Sequence, residues 1–174
     1  MALKITYATM SADNDELNSA YEKSLVDVQV RLGQTHGVVV SGESRIDREL
    51  FDETSPIDRS LFIGRYAQAT TADIDEAIEA AAVFQPEWED WGWERRRDLM
   101  LEAADMMEAQ VFELGALMTY EIGKNRLEAL GDVAETVEFL RYYSRQITEH
   151  NGFVTPLSSL SAEEVNHSVM RPHG

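Results

Sequence analysis

Apolar residues recur every three or four positions along most of this chain, which is the spacing of one face of an α-helix. Ser11 and the acidic residues after it supply a cap and negative charge for a first helical turn. The pattern therefore predicts a helix over residues 13–32. Its apolar face consists of Leu17, Tyr21, Leu25, Val28 and Leu32.

The same spacing returns in three later stretches, each bounded by residues that start or stop helices. The break points are a capping pattern, a proline and a glycine-containing junction. The first of these predicted helices begins at the capping pair Thr70 and Asp73, runs to about Phe84 and ends near Pro86. The second covers residues 93–124, with a single break near Gln110. The third covers residues 126–149.

Short runs of β-branched and aromatic residues, bounded by Gly, Ser and Pro, predict pairs of strands. One pair lies around a Ser-Gly turn within 38–46, and a second lies within 51–69. A third consists of residues 153–157 and 165–170. The predicted fold class is therefore α/β, rich in helix, with small antiparallel strand pairs.

Trp88, Trp91 and Trp93 fall close together and are predicted to lie in a short connector between two helices. Such a cluster favours a hydrophobic plug between helices, and a platform for a ligand is the alternative. The methionines are interpreted as core fillers.

The composition is strongly acidic, with 32 Asp and Glu against 15 Lys and Arg and a formal net charge of -17. Such a surface repels phosphate backbones and anionic lipids, so nucleic acid and membranes are poor partners. An acid-rich, lysine-poor surface suits a salt-loaded cytoplasm, and we hypothesise a halophilic source. Loss of the fold at high rather than low salt would contradict that hypothesis.

No apolar run has the length of a membrane span or a signal core, so a cytoplasmic location is expected.

The sequence contains no cysteine, which excludes a disulfide, a thiolate metal site and a cysteine nucleophile within these 174 residues. It also contains no Gly-x-Gly, and its four histidines are scattered, so it predicts neither a nucleotide-binding turn nor a metal site. Glu121, Lys124 and Asn125 cluster after a helix. Since Gly123 precedes a cation and an asparagine, we interpret this cluster as helix termination, with lining of a substrate tunnel as the alternative.

The order of these elements resembles the N-terminal portion of the aldehyde dehydrogenase superfamily and, within it, the 1-pyrroline-5-carboxylate dehydrogenases, which act on L-glutamate γ-semialdehyde. The resemblance covers the chain from about residue 15 onward. The matching segments are VRLGQ at 30–34, VSGE at 40–43, SPID at 55–58, IG at 63–64 ahead of Ala72, 88–97, TYEIGKN at 119–125, DVAETVEF at 132–139 with Tyr142 and Tyr143, and VMRPHG at 169–174.

The resemblance implies an NAD-dependent enzyme in which a cysteine thiolate attacks the aldehyde and a glutamate-activated water releases the acid. It places those groups beyond residue 174, so no catalytic, cofactor-binding or metal-binding residue is assigned to this chain. We therefore expect the chain to be inactive alone, as the N-terminal portion of a longer dehydrogenase. Residues 13–149 would be helices and small sheets, and 150–174 part of an oligomerisation arm and the lead-in to the nucleotide-binding domain.

One residue is implied to bind substrate. Glu135 matches the position from which semialdehyde-specific members direct a carboxylate at the substrate's amino group, where a charge-assisted hydrogen bond would form. The alternative is that Glu135 is one of many acids on a solvated helix face.

The expected partners are the remainder of the dehydrogenase and further copies of the chain, joined through the arm at 153–170. A rival function is a stand-alone, non-catalytic scaffold or regulatory module that binds an intact aldehyde dehydrogenase. An unrelated helical interaction protein is the third possibility. A portion severed from its nucleotide domain would expose apolar helix faces and aggregate or fold only partly.

Overall fold

The protein's computed structural model describes Ile5, Ser11 and residues 13–173, which form helices on one core and three small sheets. The helices are α1 (Asp15–Gln29), α2 (Thr71–Asp90), α3 (Gly92–Ala109), α4 (Val111–Ile122) and α5 (Arg126–Glu149), with a 3-10 turn at Asn151–Phe153. The strands are β1 (Gln34–His36), β2 (Val38–Val40), β3 (Glu43–Arg45), β4 (Leu50–Thr54), β5 (Phe62–Ala67), β6 (Val154–Leu157) and β7 (Asn166–Val169).

The predicted bounds of α5 are confirmed, as is the break near Gln110 that separates α3 from α4. The predicted end of α2 near Pro86 is wrong, because the helix continues through that proline to Asp90. A proline inside a helix removes one backbone donor. The last turn nevertheless holds, since Arg96 donates to the carbonyls of Trp88 and Glu89 at 3.0 Å each.

The connector is consequently reduced to one residue, and the prediction that all three tryptophans lie in it is wrong for Trp88 and Trp93. Trp88 belongs to α2, Trp91 is the residue between the two helices, and Trp93 belongs to α3. All three are half-buried. The rings of Trp88 and Trp91 lie 5.3 Å apart, which agrees with packing at a helix junction.

The three predicted strand pairs are confirmed as antiparallel pairs: β2 with β3, β4 with β5, and β6 with β7. The structure adds β1, which pairs in parallel with β5 and gives a three-stranded sheet in the order β1-β5-β4. The sequence of β1 has no apolar alternation and all three residues are exposed. Its strand conformation depends on pairing with a segment about thirty residues away.

The core lies where α1, α4 and α5 meet, and its buried members are Leu17, Tyr21, Val111, Leu130 and Val133. Tyr21 donates to the carbonyl of Gly115 at 3.1 Å, so its buried hydroxyl has a partner. Burial raises the pKa of Tyr21 above its ordinary value. A Cβ on Gly115 would lie 3.1 Å from the Leu130 side chain, so a glycine permits this close approach of α4 to α5.

Asp73 connects α2 to the β2–β3 hairpin. It completes the predicted capping box with Thr70 and also binds Arg45 and Arg48 at 2.8–2.9 Å. The side chain is 2% exposed. The Arg48 guanidinium, the Thr70 hydroxyl and backbone N–H, and Arg45 hold the pKa of Asp73 well below its usual range.

Among the described residues, no helix combines the length and the apolar character required to cross a bilayer.

Candidate functional site

A cleft of about 530 Å³ opens between the end of α4 and the start of α5, and we call it the acidic cleft. Two exposed carboxylates, Glu121 and Glu135, stand at its edge, and aliphatic and methionine side chains form its floor. The lining residues are Met107 of α3, Leu114, Leu117, Met118 and Glu121 of α4, and Asp132, Val133, Glu135 and Thr136 of α5.

Glu135 lies on the face of α5 that borders this cleft, three residues after Asp132 and one turn along the same side. Asp132 forms an ion pair with Lys124, so its charge is matched. Within the described part of the chain, no ion pair is formed by Glu135. Its carboxylate is therefore available to a cation that enters the cleft.

The junction between α4 and α5 fixes the shape of the cleft. Gly123 adopts a left-handed conformation with φ 75° and donates to the Thr119 carbonyl at 3.0 Å, which ends α4. Asn125 then caps α5 by accepting the backbone N–H of Glu128 at 3.1 Å. Ser55, in the predicted SPID segment, donates to the Tyr120 carbonyl at 2.5 Å and satisfies another carbonyl at the end of α4.

The interpretation of residues 123–125 as helix termination is thus confirmed, with one correction. Lys124 was expected beside the C-terminal carbonyls of α4, but its ammonium group reaches Asp132 in the next helix. The geometric reason is that Gly123 reverses the chain at once, which turns Lys124 towards α5. Glu121, by contrast, lines the acidic cleft.

The sequence pattern offered Glu121 only through the alternative that its cluster lines a substrate tunnel, and it did not identify the two cleft methionines as site residues. Met107 and Met118 were interpreted as core fillers, and Met118 does pack against the core. Both also border the open cleft. A usable signal was present, because residues that flank a tight Gly123 turn between two helices must lie near one another.

The acidic cleft combines an apolar floor with carboxylates at its edge, a combination that is chemically complementary to a short aliphatic molecule with an ammonium group. The lining holds no histidine and no hydroxyl–imidazole pair. Over the residues that the structure describes, no group of three or more His, Asp or Glu side chains could hold a metal ion.

A second, almost wholly apolar groove of about 520 Å³ lies between α3 and α5, and we call it the aromatic groove. Its lining includes Trp88, Phe139, Tyr143 and Phe153. Trp93 lies instead against Gly152, where it fills space between elements. Trp93 thus packs between elements, as a hydrophobic plug would, and Trp88 borders an open groove. The alternative of a ligand platform stays a prediction.

The family model described as the aldehyde dehydrogenase family matches residues 42–174, which is most of the chain. The chain belongs to the aldehyde dehydrogenase family. The resemblance first seen in its segments is thereby confirmed.

Two curated relatives of this aldehyde dehydrogenase chain are named 1-pyrroline-5-carboxylate dehydrogenase. The protein from Staphylococcus haemolyticus (strain JCSC1435) is 35% identical over 129 residues, which are 74% of this chain and 25% of the relative. The protein from Staphylococcus epidermidis (strain ATCC 12228 / FDA PCI 1200) is 33% identical over the same extent. The chain thus spans about a quarter of the length of these relatives.

Solved structures agree with the assignment. The 1-pyrroline-5-carboxylate dehydrogenase from Thermus with bound NAD is 28% identical, with a TM-score of 0.79 over 94% of this chain and 32% of the Thermus chain. Proline utilization A from Bdellovibrio bacteriovorus is 26% identical, with a TM-score of 0.84 over 91% of this chain and 16% of that protein. The aldehyde dehydrogenase chain therefore has the fold of one portion of these larger proteins.

Proposed function

We propose that this chain is the N-terminal portion of an NAD-dependent dehydrogenase that oxidises L-glutamate γ-semialdehyde, the open form of 1-pyrroline-5-carboxylate, to L-glutamate in proline catabolism. The observation that carries the proposal is the position of Glu135 at the acidic cleft of a chain whose relatives are named 1-pyrroline-5-carboxylate dehydrogenase. The reaction would take place in the cytoplasm.

The role proposed for this portion is to hold the substrate by its amino end. L-Glutamate γ-semialdehyde has an α-ammonium group and a short aliphatic chain. An ammonium group gains a charge-assisted hydrogen bond from a carboxylate such as Glu135. The floor formed by Leu114, Leu117 and Met118 would contact the aliphatic chain.

NAD and the reacting groups are assigned to the remainder of the dehydrogenase. The sequence has no cysteine and no Gly-x-Gly, and no described residues form a glycine-rich turn that would receive a dinucleotide phosphate at a helix start. The residues of this chain thus do not fit the cofactor, and no step of hydride transfer is derived from them.

Replacing Glu135 with glutamine in the complete dehydrogenase is expected to raise KM for glutamate semialdehyde roughly tenfold or more, because a charge-assisted hydrogen bond contributes about 1.5–3 kcal/mol. Steady-state kinetics of wild type and variant measure this change. Since the substitution keeps the size of the side chain, the fold should be retained.

The matched control for that experiment is Glu138→Gln. Glu138 is also an exposed acid of α5, but it borders a different, smaller cavity with Ile5 and Val111. We expect the Glu138→Gln variant to have the same KM for glutamate semialdehyde as the wild-type enzyme. An unchanged KM in the Glu135 variant, or an equal rise in both variants, would refute the assignment of Glu135.

The isolated 174-residue chain is expected to have no dehydrogenase activity, because it contains no cysteine to attack the aldehyde. Mixing it with NAD and glutamate semialdehyde should produce no NADH absorbance. NADH formation above that of a buffer blank would refute the proposal that the reacting groups lie in the remainder of the dehydrogenase.

The second candidate function is a stand-alone scaffold or regulatory module that joins the assembly of an intact aldehyde dehydrogenase. The exposed β6–β7 pair supports it, since a hairpin with free edges can pair with another subunit. An antibody raised against residues 10–30 can detect the native polypeptide in its source cells, and the mass of that polypeptide distinguishes the dehydrogenase from the stand-alone module. A band several times heavier than 19.7 kDa supports the dehydrogenase, and a band at 19.7 kDa supports the module.

Self-association through the arm at residues 153–170 is compatible with both proposed functions. All but one of the residues in β6 and β7 are exposed, and none of the eight carries a formal charge at neutral pH. In a chain with a net charge of -17, an uncharged strand pair is a surface that an identical copy can approach without like-charge repulsion. We therefore propose a second copy as the partner of this hairpin.

A further inference from the structure

The link between α5 and the β6–β7 hairpin has an unusual backbone. Asn151, Gly152 and Phe153 adopt φ values of 48°, 68° and 56°, so three consecutive residues lie in the left-handed region, and we call them the elbow. Two of the three are not glycine. Such residues cost free energy in this conformation and persist where surrounding contacts hold them.

The central contact of the elbow is between Gly152 and Trp93, which are separated by nearly sixty positions in the sequence. A Cβ at Gly152 would lie 2.2 Å from Cδ1 of the Trp93 indole, so the backbone of the elbow rests directly on the ring. Gly152 is buried. The Arg97 guanidinium also lies over the indole, 5.2 Å from the ring centroid.

The neighbours of Gly152 hold the base of the hairpin. Phe153 packs beside His150 with ring centroids 5.2 Å apart, and its side chain borders the aromatic groove. The Phe153 carbonyl accepts the backbone N–H of Met170 at 3.2 Å, which ties the returning strand to the elbow. The direction in which both strands leave the helices is therefore set at these residues.

We infer that Trp93 and Gly152 form a lock that fixes the direction of the β6–β7 hairpin and thereby positions it to pair with a second copy of the chain. This inference rests on the proposed self-association through the hairpin. Trp93 and Gly152 are positioning residues: they lie outside the two strands and act by orienting them.

The test compares one substitution at two glycines. Gly152→Asn retains a residue that tolerates positive φ but forces its Cβ into the Trp93 ring. Gly42 has φ 82° and no atom within 4 Å of its would-be Cβ, so Gly42→Asn is the matched control. Sedimentation velocity should show self-association weakened at least roughly tenfold by Gly152→Asn and unchanged by Gly42→Asn.

A separate readout reports the direction of the hairpin without any assembly. In the complete dehydrogenase with its own cysteines replaced, spin labels attached at Ser161→Cys and Glu102→Cys mark only the hairpin loop and α3, because residues 1–174 contain no cysteine. The distance distribution between the labels should be narrow in wild type and in Gly42→Asn. It should become broad or shifted in Gly152→Asn and in Trp93→Ala, which removes the ring and leaves the glycine in place.

A third variant separates failure of this inference from failure of the proposed function. Leu157→Asp places a charge in β6 and should reduce self-association if the hairpin is the interface. If the wild-type protein does not self-associate, or if Leu157→Asp leaves its self-association unchanged, the hairpin is not the interface. The proposed role of the lock in assembly is then also refuted. If Leu157→Asp weakens association while Gly152→Asn changes neither association nor label distances, the lock alone is refuted.

Discussion

Replacing Leu130 with alanine is expected to lower the free energy of unfolding of this chain by about 2–5 kcal/mol. Leu130 is 0% exposed, and it fills the space above Gly115 where α4 and α5 approach closely. The smaller alanine would lose the transfer free energy of the missing carbons and leave a cavity. The short distance between the two helices prevents them from closing it fully, because Tyr21 also occupies this site.

Urea unfolding followed by circular dichroism measures this loss, at low protein concentration to limit association of exposed apolar faces. The matched control is Leu157→Ala, a leucine of the hairpin that is 53% exposed. We expect that control to change stability by no more than roughly 0.5 kcal/mol. A loss below about 1 kcal/mol for Leu130→Ala would contradict the placement of the core.

The Asp73→Asn variant is expected to lose the link between α2 and the β2–β3 hairpin and to melt at a clearly lower temperature at neutral pH. The carboxylate is buried and binds two arginines and the helix cap, so its neutral replacement removes the one buried charge that Arg45 and Arg48 share. The arginines then keep only their more exposed partners, Glu76 and Asp47. This should be among the largest effects of any single polar substitution in the chain.

The same substitution should change the pH dependence of stability. Because the folded pKa of Asp73 is lowered from its ordinary value of 3.8, its ionised form stabilises the fold above that value. This contribution is lost as the pH falls below about 4 towards the folded pKa. Wild type should therefore lose melting temperature over this acid range, and Asp73→Asn should lose less, so that the two curves converge.

The matched control is Asp52→Asn, which removes an exposed carboxylate paired with Arg65 alone. An exposed pair contributes little, so the melting temperature should remain close to that of wild type. Equal behaviour of the Asp52 and Asp73 variants from neutral to acidic pH would show that Asp73 is not the residue that holds the hairpin to α2.

The exposed apolar faces expected of a severed portion are present. Ile78 and Val83 of α2 and Phe139 and Tyr143 of α5 are between 52% and 75% exposed. These apolar helix faces are open to solvent, which agrees with the finding that the chain matches only about a quarter of the length of its relatives. Aggregation of the isolated chain stays a prediction, as does the halophilic source.

Much of the secondary structure was predictable from the sequence because its signals are local. Apolar spacing gave α5 its bounds, and Thr70 with Asp73 marked the start of α2. The prediction was wrong at Pro86 because a local rule about proline was overridden by contacts from α3. It missed β1 because three exposed residues become a strand only through pairing with β5.

The site was predictable only in part. A periodic pattern places Glu135 on a charged helix face, and the resemblance to the family singled it out from the other acids. The structure adds the cleft that Glu135 borders and Glu121 on the opposing helix. No spacing rule contains that information, because the shape of a cleft depends on how two helices pack after the Gly123 turn.

The sequence by itself determined the existence of the helices, the cap of α2, the acidic composition, the absence of a cysteine within the chain and the family to which the chain belongs. Each of these follows from residue identity or from neighbours within a few positions. The first helix is shorter than predicted, Asp15–Gln29 instead of 13–32, and Asn14 caps it instead of Ser11. Only the tertiary structure decided the course of α2 through Pro86, the parallel pairing of β1 and the contact of Gly152 with Trp93. Those features depend on packing between residues distant in sequence, where steric fit and burial outweigh local preference.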